Sequence, residues 1–262
     1  METILEKIIA AKRQEVIRAK VEKPFACVLR EAEAMAGTAP RRSLKAALRQ
    51  SSTGVIAEFK RKSPSKGFIH AGAKVEEIIP GYVQAGATAL SILTDENFFG
   101  GSLNDLAEAR RLADIPVLRK DFIVDIYQIC EAKLYGADAI LLIASALSLE
   151  QTFELADSAH HIGLEVLLEI HHHGELDYCH APADIIGVNN RNLNNFVTGV
   201  QVSFEIASKI PPQKLKISES GISSPETVKA LRKAGYLGFL MGENFMKQPA
   251  PALALQQFIR AL

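Results

Sequence analysis

The sequence has no excess of charge of either sign, since 30 lysines and arginines balance 30 aspartates and glutamates among 262 residues. Without a basic excess, binding to nucleic acid or to an anionic membrane surface is not expected. Hydrophobic residues make up 48% of the chain, which is typical of a globular protein that buries a sizeable core. Polyanions and membranes are therefore not among the expected partners.

Cysteine is scarce, because the chain contains only Cys27, Cys130 and Cys179, without a paired metal-binding spacing. An odd number of isolated cysteines predicts free, mostly buried thiols in a reducing compartment, and no disulfide. No stretch approaches the roughly 18 apolar residues of a membrane span. The N-terminus also lacks the continuous apolar core of a signal peptide. We therefore predict a cytoplasmic protein.

Histidine offers no clear metal-binding pattern. His171, His172 and His173 are consecutive, but side chains of consecutive residues point in divergent directions, and no other histidine or cysteine has a ligand-like spacing. We predict no metal site, and a solvated loop for this run. His160 and His161 lie near the end of a predicted helix, where they can interact favourably with the helix dipole.

The first 50 residues predict a helical extension that precedes the first strand. Apolar residues recur at spacings of one, three and four over residues 3–21, which indicates a helix with one buried face. Ser43 can cap a second short helix over residues 43–50, and residues 37–40 are typical of a loop.

Beyond the extension, strands and helices alternate. Short apolar runs predict eight strands, at residues 54–59, 87–93, 116–119, 137–143, 163–168, 184–188, 214–217 and 238–241. Helical patterns follow them, at residues 74–84, 103–112, 125–135, 149–161, 174–179, 203–210, 225–234 and 252–262. Near-continuous apolar strands such as AILLIA are typical of a parallel sheet that helices cover on both faces.

Eight strand–helix units predict a closed barrel rather than an open sheet. An open doubly wound sheet usually stops at five to seven strands and carries G-x-G-x-x-G after its first strand, and this motif is missing there. We therefore predict an α/β fold of the (β/α)8 TIM-barrel type, as one domain over residues 1–262 that includes the extension of residues 1–50.

The end of the first strand suggests a site. Glu58 and Lys60 are two residues apart, so an extended strand directs both to the same side. The loop of residues 63–67 then offers hydroxyls, amides and positive charge, which suit an anion such as phosphate. The alternative interpretation is a solvated salt bridge followed by a polar turn.

Charged and polar residues stand at most of the other strand ends. In a barrel these ends meet at one face, where active sites lie, so the residues are expected to converge. The ionisable and amide-bearing members are Asp95, Lys120, Asp121, Glu169, Asn189, Asn190, Arg191, Glu219 and Glu243. Backbone around Ser220, Gly221 and Gly242 is expected to hold a phosphate, with Ser63 closing its other side.

These residue types favour proton transfer. The set contains two lysines and several glutamates, without a serine or cysteine nucleophile beside a histidine, which favours general acid–base catalysis. Two alternatives remain open: a Schiff base on Lys60 or Lys120, and a sensor that binds a phosphorylated ligand without converting it. Residues 98–101, Phe-Phe-Gly-Gly, are interpreted either as a loop that covers an apolar ligand or as core.

The motifs resemble one family, the indole-3-glycerol phosphate synthases. The resemblance rests on IAEFKRKSPSKG, LSILTDENFFGGS, PVLRKDFIVDIYQI, GADAILLI, LEVLLEIH, GVNNRNL, SESGI and FLMGENFM, in the family's order and on the predicted strands. It covers nearly the whole chain and implies the stand-alone form of the enzyme, as a monomer or weak homo-oligomer. The implied reaction converts 1-(2-carboxyphenylamino)-1-deoxyribulose 5-phosphate into indole-3-glycerol phosphate, carbon dioxide and water, without a cofactor.

The resemblance also implies residue roles. Lys120 is similar to the family's general acid, Lys60 to the lysine that holds the substrate carboxylate, and Glu169 to the general base. Glu58 and Asn189 are expected to orient the reacting groups. The implied substrate-binding residues are Ser63, Phe99, Phe122, Arg191, Glu219, Ser220, Gly221, Gly242 and Glu243.

Two expectations qualify these roles. Some relatives have a small hydroxyl residue where Glu243 stands, so only its backbone N–H is expected to contact phosphate. Burial and a second lysine nearby are expected to lower the pKa of Lys120. We further expect the extension to cover the barrel opening and to shape an apolar pocket with Phe99 and Phe122.

Overall fold

The computed structural model describes residues 3–37, 42–192 and 197–262, and its central feature is a closed barrel of eight parallel strands. The order around the barrel is β1-β10-β9-β8-β7-β6-β5-β4, so the strands follow one another in sequence and β10 closes on β1. The barrel strands are β1 (Val55–Phe59), β4 (Ala89–Leu93), β5 (Val117–Lys120), β6 (Ala139–Ile143), β7 (Glu165–Ile170), β8 (Ile185–Asn189), β9 (Leu215–Glu219) and β10 (Gly238–Met241). A two-stranded hairpin, β2 (Lys62–Ser63) and β3 (Gly67–Phe68), follows β1.

Helices surround the barrel and precede it. Their bounds are α1 (Ile4–Glu22), α2 (Phe25–Ala36), α3 (Leu44–Gln50), α4 (Val75–Gln84), α5 (Glu96–Phe99), α6 (Leu103–Leu112), α7 (Ile126–Leu134), α8 (Leu149–His161), α9 (Gln201–Ile206), α10 (Pro225–Lys233), α11 (Glu243–Met246) and α12 (Pro251–Arg260). Two 3-10 helices complete the set: η1 (Ala144–Ala146) and η2 (His173–His180). The predicted α/β barrel with an N-terminal helical extension is confirmed.

The strands form because both of their faces are buried. Side chains that point outward pack with the surrounding helices in one large apolar cluster. Side chains that point inward form a second cluster along the barrel axis, which includes Ile56, Leu118 and Leu167. Leu44 and Leu48 of α3 belong to this inner cluster, and Leu48 approaches Gly238, the first residue of β10. Helix α3 therefore closes the barrel at the amino ends of the strands.

Two strands end two residues later than the sequence predicted. The strand expected at 163–168 is Glu165–Ile170, and the one expected at 214–217 is Leu215–Glu219. Glu169 and Glu219 thus belong to the sheet, where Glu169 is in register with Gly187 and Glu219 with Asn189. Side chains on paired strands are held more rigidly than side chains on loops.

Several helices differ from the predictions. Helix α2 was not predicted at all, although its alanine-rich sequence is helix-forming; it buries Val28 and Ala32 and packs against α7. The helix expected at 174–179 is the 3-10 helix η2, and the one expected at 203–210 ends at Ile206. The single-turn helices α5 and α11 and the hairpin β2–β3 are too short for a periodic signal.

The state of the cysteines agrees with the prediction from composition. Cys27, Cys130 and Cys179 are free, and the last two are buried, as predicted. Burial raises the pKa of Cys130 and of Cys179 to about 11. In the described part of the chain, no helix has the length and apolar character needed to cross a membrane.

Candidate active site

A cavity of about 420 Å³ opens at the carboxyl ends of the barrel strands. It brings together all the residues to which the sequence assigned catalytic or substrate-binding roles. Its lining includes Glu58, Lys60, Ser63, Phe99, Lys120, Phe122, Glu169, Asn189, Arg191, Glu219, Ser220, Gly221, Gly242 and Glu243. Side chains that are far apart in sequence therefore share one site.

The centre of the cavity contains one ammonium group between two carboxyl groups. Nζ of Lys120 lies 3.0 Å from Oε2 of Glu169 and 3.5 Å from Oε2 of Glu219. Lysine 120 ends β5, whereas the two glutamates come from β7 and β9. Burial opposes the charge on Lys120, but attraction from Glu169, Glu219 and Glu58 outweighs burial and raises its pKa above the ordinary value. The expectation of a lowered pKa for Lys120 is wrong, because carboxylates surround it.

The two glutamates differ in their protonation. Burial opposes the charge on Glu169, but Lys120, His171 and Asn189 together hold its pKa well below the usual range. Burial raises the pKa of Glu219 to about 8, with help from the charge of Glu169 and against the attraction of Lys120. These surroundings favour the ionised form of Glu169, the charged form of Lys120 and the protonated form of Glu219.

Glu58 and Lys60 project into the cavity together, as the strand geometry predicted. Nζ of Lys60 lies 2.6 Å from Oε1 of Glu58, and Glu58 is buried. The alternative of a solvated salt bridge is therefore wrong for this pair. Glu58 fits because the backbone opposite it is bare: a Cβ atom on Gly242 would lie 2.5 Å from its Oε1.

A second glycine makes room for Glu219. A Cβ atom on Gly187, in β8, would lie 2.2 Å from Oε1 of Glu219 and 3.1 Å from Cδ1 of Leu167. Any larger residue at this position would have to displace the carboxyl group from the barrel centre. The glycine of the IIGVN strand is thus a steric requirement of the site, and the sequence alone did not reveal it.

His171 was assigned to a solvated loop, and this prediction is wrong. The side chain of His171 is buried, and its Nε2 lies 3.1 Å from Oε1 of Glu169. Asn189 donates a hydrogen bond of 3.0 Å from Nδ2 to the same oxygen. His171 is directed inward because the strand β7 continues to Ile170, so that the alternation carries residue 171 back to the side of Glu169. His172 and His173 remain exposed.

His160 lies in the last turn of α8, as expected, but its contact is a specific one. Its Nε2 lies 2.8 Å from Oδ2 of Asp184. The hydrogen bond from this carboxylate outweighs burial and raises the pKa of His160.

One end of the cavity is apolar. Ile4, Leu5 and Ile8 of α1 line it together with Phe99 and Phe122, whose ring centroids are 5.9 Å apart. The extension therefore covers the cavity, as predicted. Phe99 belongs to the single turn α5, which an aspartate side chain caps by accepting hydrogen bonds from the backbone N–H groups of residues 98 and 99. The Phe-Phe-Gly-Gly segment was interpreted either as a loop that covers an apolar ligand or as core, and the first interpretation fits Phe99, which lines this cavity.

A buried lysine anchors the extension. Nζ of Lys12 lies 2.8 Å from Oδ2 of Asp95 and 3.1 Å from Oδ1 of Asp121. Asp95 caps α5, and Asp121 directly follows Lys120. Lys12 thus connects α1 to both loops that carry the cavity's aromatic side chains. Sequence reasoning missed it, although Lys12 lies four residues from both Ile8 and Val16 on the buried face of the helix.

Another part of the cavity lining contains hydroxyl groups, cations and backbone with positive φ. Oγ of Ser63 is buried and has no hydrogen-bond partner among the described residues. Ser220 and Gly221 have φ values of 65° and 72°, and the first is uncommon for a residue with a side chain. Backbone in this conformation concentrates at ligand-binding turns.

Glu243 faces cations in this part of the lining. Its carboxylate contacts Nζ of Lys66 and lies 3.6 Å from Nη2 of Arg191. Arg191 also donates a hydrogen bond of 3.3 Å to Oγ of Ser65. These side chains connect the loop after β1 with the loops after β8 and β10.

The described residues contain no cluster of three histidine, cysteine, aspartate or glutamate side chains suited to a metal ion. The donor set around Lys120 is instead suited to hydrogen bonding and proton transfer.

A sequence model of the indole-3-glycerol phosphate synthase family matches residues 5–260. The chain belongs to this family. Among curated relatives, the indole-3-glycerol phosphate synthase of Bacteroides thetaiotaomicron is 54% identical over 262 residues, and the match covers 100% of both chains. The synthase of Dechloromonas aromatica is 44% identical over 259 residues, covering 97% of this chain and 98% of the relative. Indole-3-glycerol phosphate synthases are carboxy-lyases of tryptophan biosynthesis, so the chain is an enzyme of that class.

Solved structures with a similar backbone include more distant barrels. Thiamine phosphate pyrophosphorylase from Pyrococcus furiosus has a TM-score of 0.61 at 15% identity, covering 84% of this chain and 97% of that one. A chain of the tryptophan synthase complex from the same organism has a TM-score of 0.59 at 15% identity, covering 80% and 97%. At this level of identity the likeness concerns the fold of this chain alone.

Proposed function

We propose that the chain converts 1-(2-carboxyphenylamino)-1-deoxyribulose 5-phosphate into indole-3-glycerol phosphate, with release of carbon dioxide and water. The observation that carries this proposal is the position of Lys120 between Glu169 and Glu219, with Nζ 3.0 Å from Oε2 of the first and 3.5 Å from Oε2 of the second. A site of this kind contains both a proton donor and a proton acceptor, as general acid–base catalysis requires.

The cavity has three zones that suit the three parts of the substrate. The apolar end with Ile8, Phe99 and Phe122 suits the benzene ring. A second zone suits the phosphate, since Ser63 and Ser220 offer hydroxyl groups there and Gly221, Gly242 and Glu243 are also part of the lining. The sugar chain would then extend past the acid–base centre, with Arg191 near the phosphate.

In the first step the ring carbon that bears the carboxylate attacks the substrate's ketone carbon. The C–C bond forms, and the carbonyl π electrons move to the oxygen, which takes a proton from Nζ of Lys120. A raised pKa keeps this lysine protonated and ready to donate at neutral pH. Lys60, held beside Glu58, would bind the substrate carboxylate as a counter-ion.

In the second step the carboxylate leaves as carbon dioxide, and the electrons of its bond to the ring restore the aromatic system. The apolar zone favours this step because it solvates the charged carboxylate poorly, whereas it does not destabilise the neutral carbon dioxide that forms. Lys60 loses its partner as carbon dioxide forms, and Glu58 remains as its counter-ion.

In the third step the new hydroxyl group leaves as water, and the adjacent carbon loses a proton. Glu169 is the base, because its pKa is low enough to keep it ionised and Asn189 fixes its Oε1. Glu219 is protonated below about pH 8 and is suited to give a proton to the leaving hydroxyl or to restore Lys120. Each step moves only protons, carbon dioxide and water, so we expect no cofactor.

The Schiff-base alternative is less compatible with this site. An amine must lose its proton before it can attack a carbonyl carbon, and the carboxylates around Lys120 raise its pKa. Borohydride treatment in the presence of a keto-phosphate would trap a Schiff base as a covalent adduct. We expect no adduct by mass spectrometry.

The direct test is an assay of the purified chain with the carboxyphenylamino sugar phosphate. We expect indole fluorescence to appear together with one equivalent of carbon dioxide, in the absence of added metal ions and in the presence of a chelator. The same preparation with Lys120→Met serves as the control for contaminating enzyme. Binding of the substrate without turnover would contradict the proposal and favour the sensor interpretation.

A further inference from the structure

A line of polar side chains extends from Glu169 away from the cavity, and of its members Glu169, His171 and Glu175 are buried whereas Ser145 is exposed. Nε2 of His171 lies 3.1 Å from Oε1 of Glu169. On the other side of the ring, Nδ1 lies 3.1 Å from Oγ of Ser145 and 3.4 Å from Oε2 of Glu175. Ser145 donates a hydrogen bond of 2.6 Å to Oε1 of Glu175. Four side chains are thus in series, and Glu169 is the one that reaches the cavity.

Two elements of the fold meet at the far end of this line. Ser145 belongs to η1, directly after β6, and Glu175 belongs to η2, so two separate elements fix one face of the imidazole. The backbone N–H of His171 also donates to Oε2 of Glu175, at 2.5 Å. Glu175 is itself buried and receives hydrogen bonds at both oxygens. The buried ring therefore has a polar group near each of its nitrogens, and the one near Nε2 is the Glu169 carboxylate.

We propose that His171 is a positioning residue for Glu169: the ring, oriented by Ser145 and Glu175, holds the Glu169 carboxylate ionised and directs its Oε2 towards Lys120. This inference rests on the proposed function of Glu169 as the base. His171 does not line the cavity, so it acts through Glu169 and not on the substrate.

The electrostatics agree with this geometry. Burial disfavours the imidazolium, but hydrogen bonds and attraction from Glu169 and Glu175 outweigh burial and raise the pKa of His171 to about 9. His172 also approaches Glu175, with 3.5 Å between Nε2 and Oε1. Around Glu169 the other charged or titratable groups are Lys120 and Glu219, and Asn189 is the neutral donor. Removal of the imidazolium would leave Lys120 as the main positive neighbour of Glu169.

The test compares kcat/KM against pH for the whole enzyme and for His171→Gln. An opposite charge within a few ångström changes a carboxyl pKa by about 1 to 3 pH units. We therefore expect the acid limb of the profile to move upward by about that amount in His171→Gln. The matched control is His161→Gln, because His161 is 70% exposed and pairs with the exposed Glu33. Its profile should superimpose on that of the unmodified enzyme.

Three results would overturn the inference. The first is an acid limb that stays in place in a folded His171→Gln variant, whatever its thermal stability. The second result applies if that variant does not fold. Ser145→Ala keeps the imidazole but removes one of its polar partners. An unchanged kcat together with an unchanged acid limb in this variant would overturn the proposal. The third needs no variant: nitrogen-15 NMR of labelled histidines in the unmodified enzyme should show His171 protonated at pH 7, and a neutral ring would refute the role.

These outcomes are separable from those of the proposed function. An unmodified enzyme that does not convert the substrate contradicts the assigned reaction, and the NMR titration then still reports on the ring. An unmodified enzyme that is active, with a His171→Gln profile like its own, contradicts only the role of His171.

Discussion

Nζ of Lys12 lies 3.1 Å from Oδ1 of Asp121, the residue that directly follows Lys120. The lysine is only 3% exposed, although it belongs to the first helix of the chain. Its second carboxylate, Asp95, caps the helical turn that carries Phe99. The ammonium group of Lys12 therefore links helix α1, which covers the cavity, to the loop that follows Lys120 and to the turn that carries Phe99.

Lys12→Met should reduce both stability and substrate binding. Removing one partner from a buried ion pair costs about 3 to 5 kcal/mol, because it leaves a buried charge uncompensated. Asp95 would lose this ion pair, whereas Asp121 would keep Nη2 of Arg119 at 3.1 Å. We expect a loss of this order in the free energy of unfolding, measured by urea denaturation, and a raised KM because Ile4, Leu5 and Ile8 lose their anchor. Lys12→Arg retains the charge and is the control. Equal stability of Lys12→Met and the unmodified chain would show that the pair contributes nothing.

Lys120→Met and Glu169→Gln should each reduce kcat far more than they change KM. Loss of a single acid or base commonly costs about 10² to 10⁴ in rate. Steady-state kinetics with the indole fluorescence assay measures both constants. Lys229→Met and Glu154→Gln change exposed residues of the outer helices and serve as matched controls. Near-normal turnover in either site variant would remove that residue from the assigned role.

Glu219→Gln should remove one ionisation from the pH profile of kcat. Burial and the charge of Glu169 raise the pKa of Glu219 to about 8, against the attraction of Lys120. The carboxyl group is therefore protonated below pH 8 and loses its proton as the pH rises through that value. As a proton donor it supports activity below pH 8, so we expect activity to fall above it. In Glu219→Gln the fall in activity near pH 8 should be absent and the plateau lower. If the fall persists in this variant, another group causes it.

Gly187→Ala should displace the carboxyl group of Glu219. The added Cβ atom would lie 2.2 Å from Oε1, so the side chain must move. A misplacement of about 1 Å in an active site can cost about 10²-fold in rate, and we expect a loss of that order in kcat. Gly72→Ala is the control, since a Cβ atom there meets nothing within 4 Å. If the two variants are equally active, the fit between Gly187 and Glu219 has no catalytic importance.

The sequence predicted those parts of the site that depend on local pattern. Alternation along β1 was sufficient to place Glu58 and Lys60 on one side, and the eight apolar runs were sufficient to place the other strand ends at one opening. The family resemblance then supplied roles that no spacing could supply, and these roles remain predictions. The extent of β7 and β9 was underestimated, because charged residues inside a sheet look like loop residues until their neighbours are known.

What the sequence did not predict depends on distant partners. His171 appeared solvated because it begins a run of histidines, yet Ser145, Glu169 and Glu175 surround it. The pKa of Lys120 was predicted in the wrong direction for a similar reason. The direction of the pKa shift depends on how many carboxylates three other strands bring near Lys120, and this number is a property of the closed barrel.

Helix α3 has a consequence for how the chain folds. Leu44 and Leu48 complete the apolar interior of the barrel at its amino end, while residues of α1 cover its carboxyl end. During synthesis these segments leave the ribosome long before β10, the last strand, has been made. Contacts so far apart in sequence slow folding, since a long loop of chain must close before they form. Their apolar side chains therefore stay without native neighbours until translation is nearly complete, a period in which association with other nascent chains competes with barrel closure.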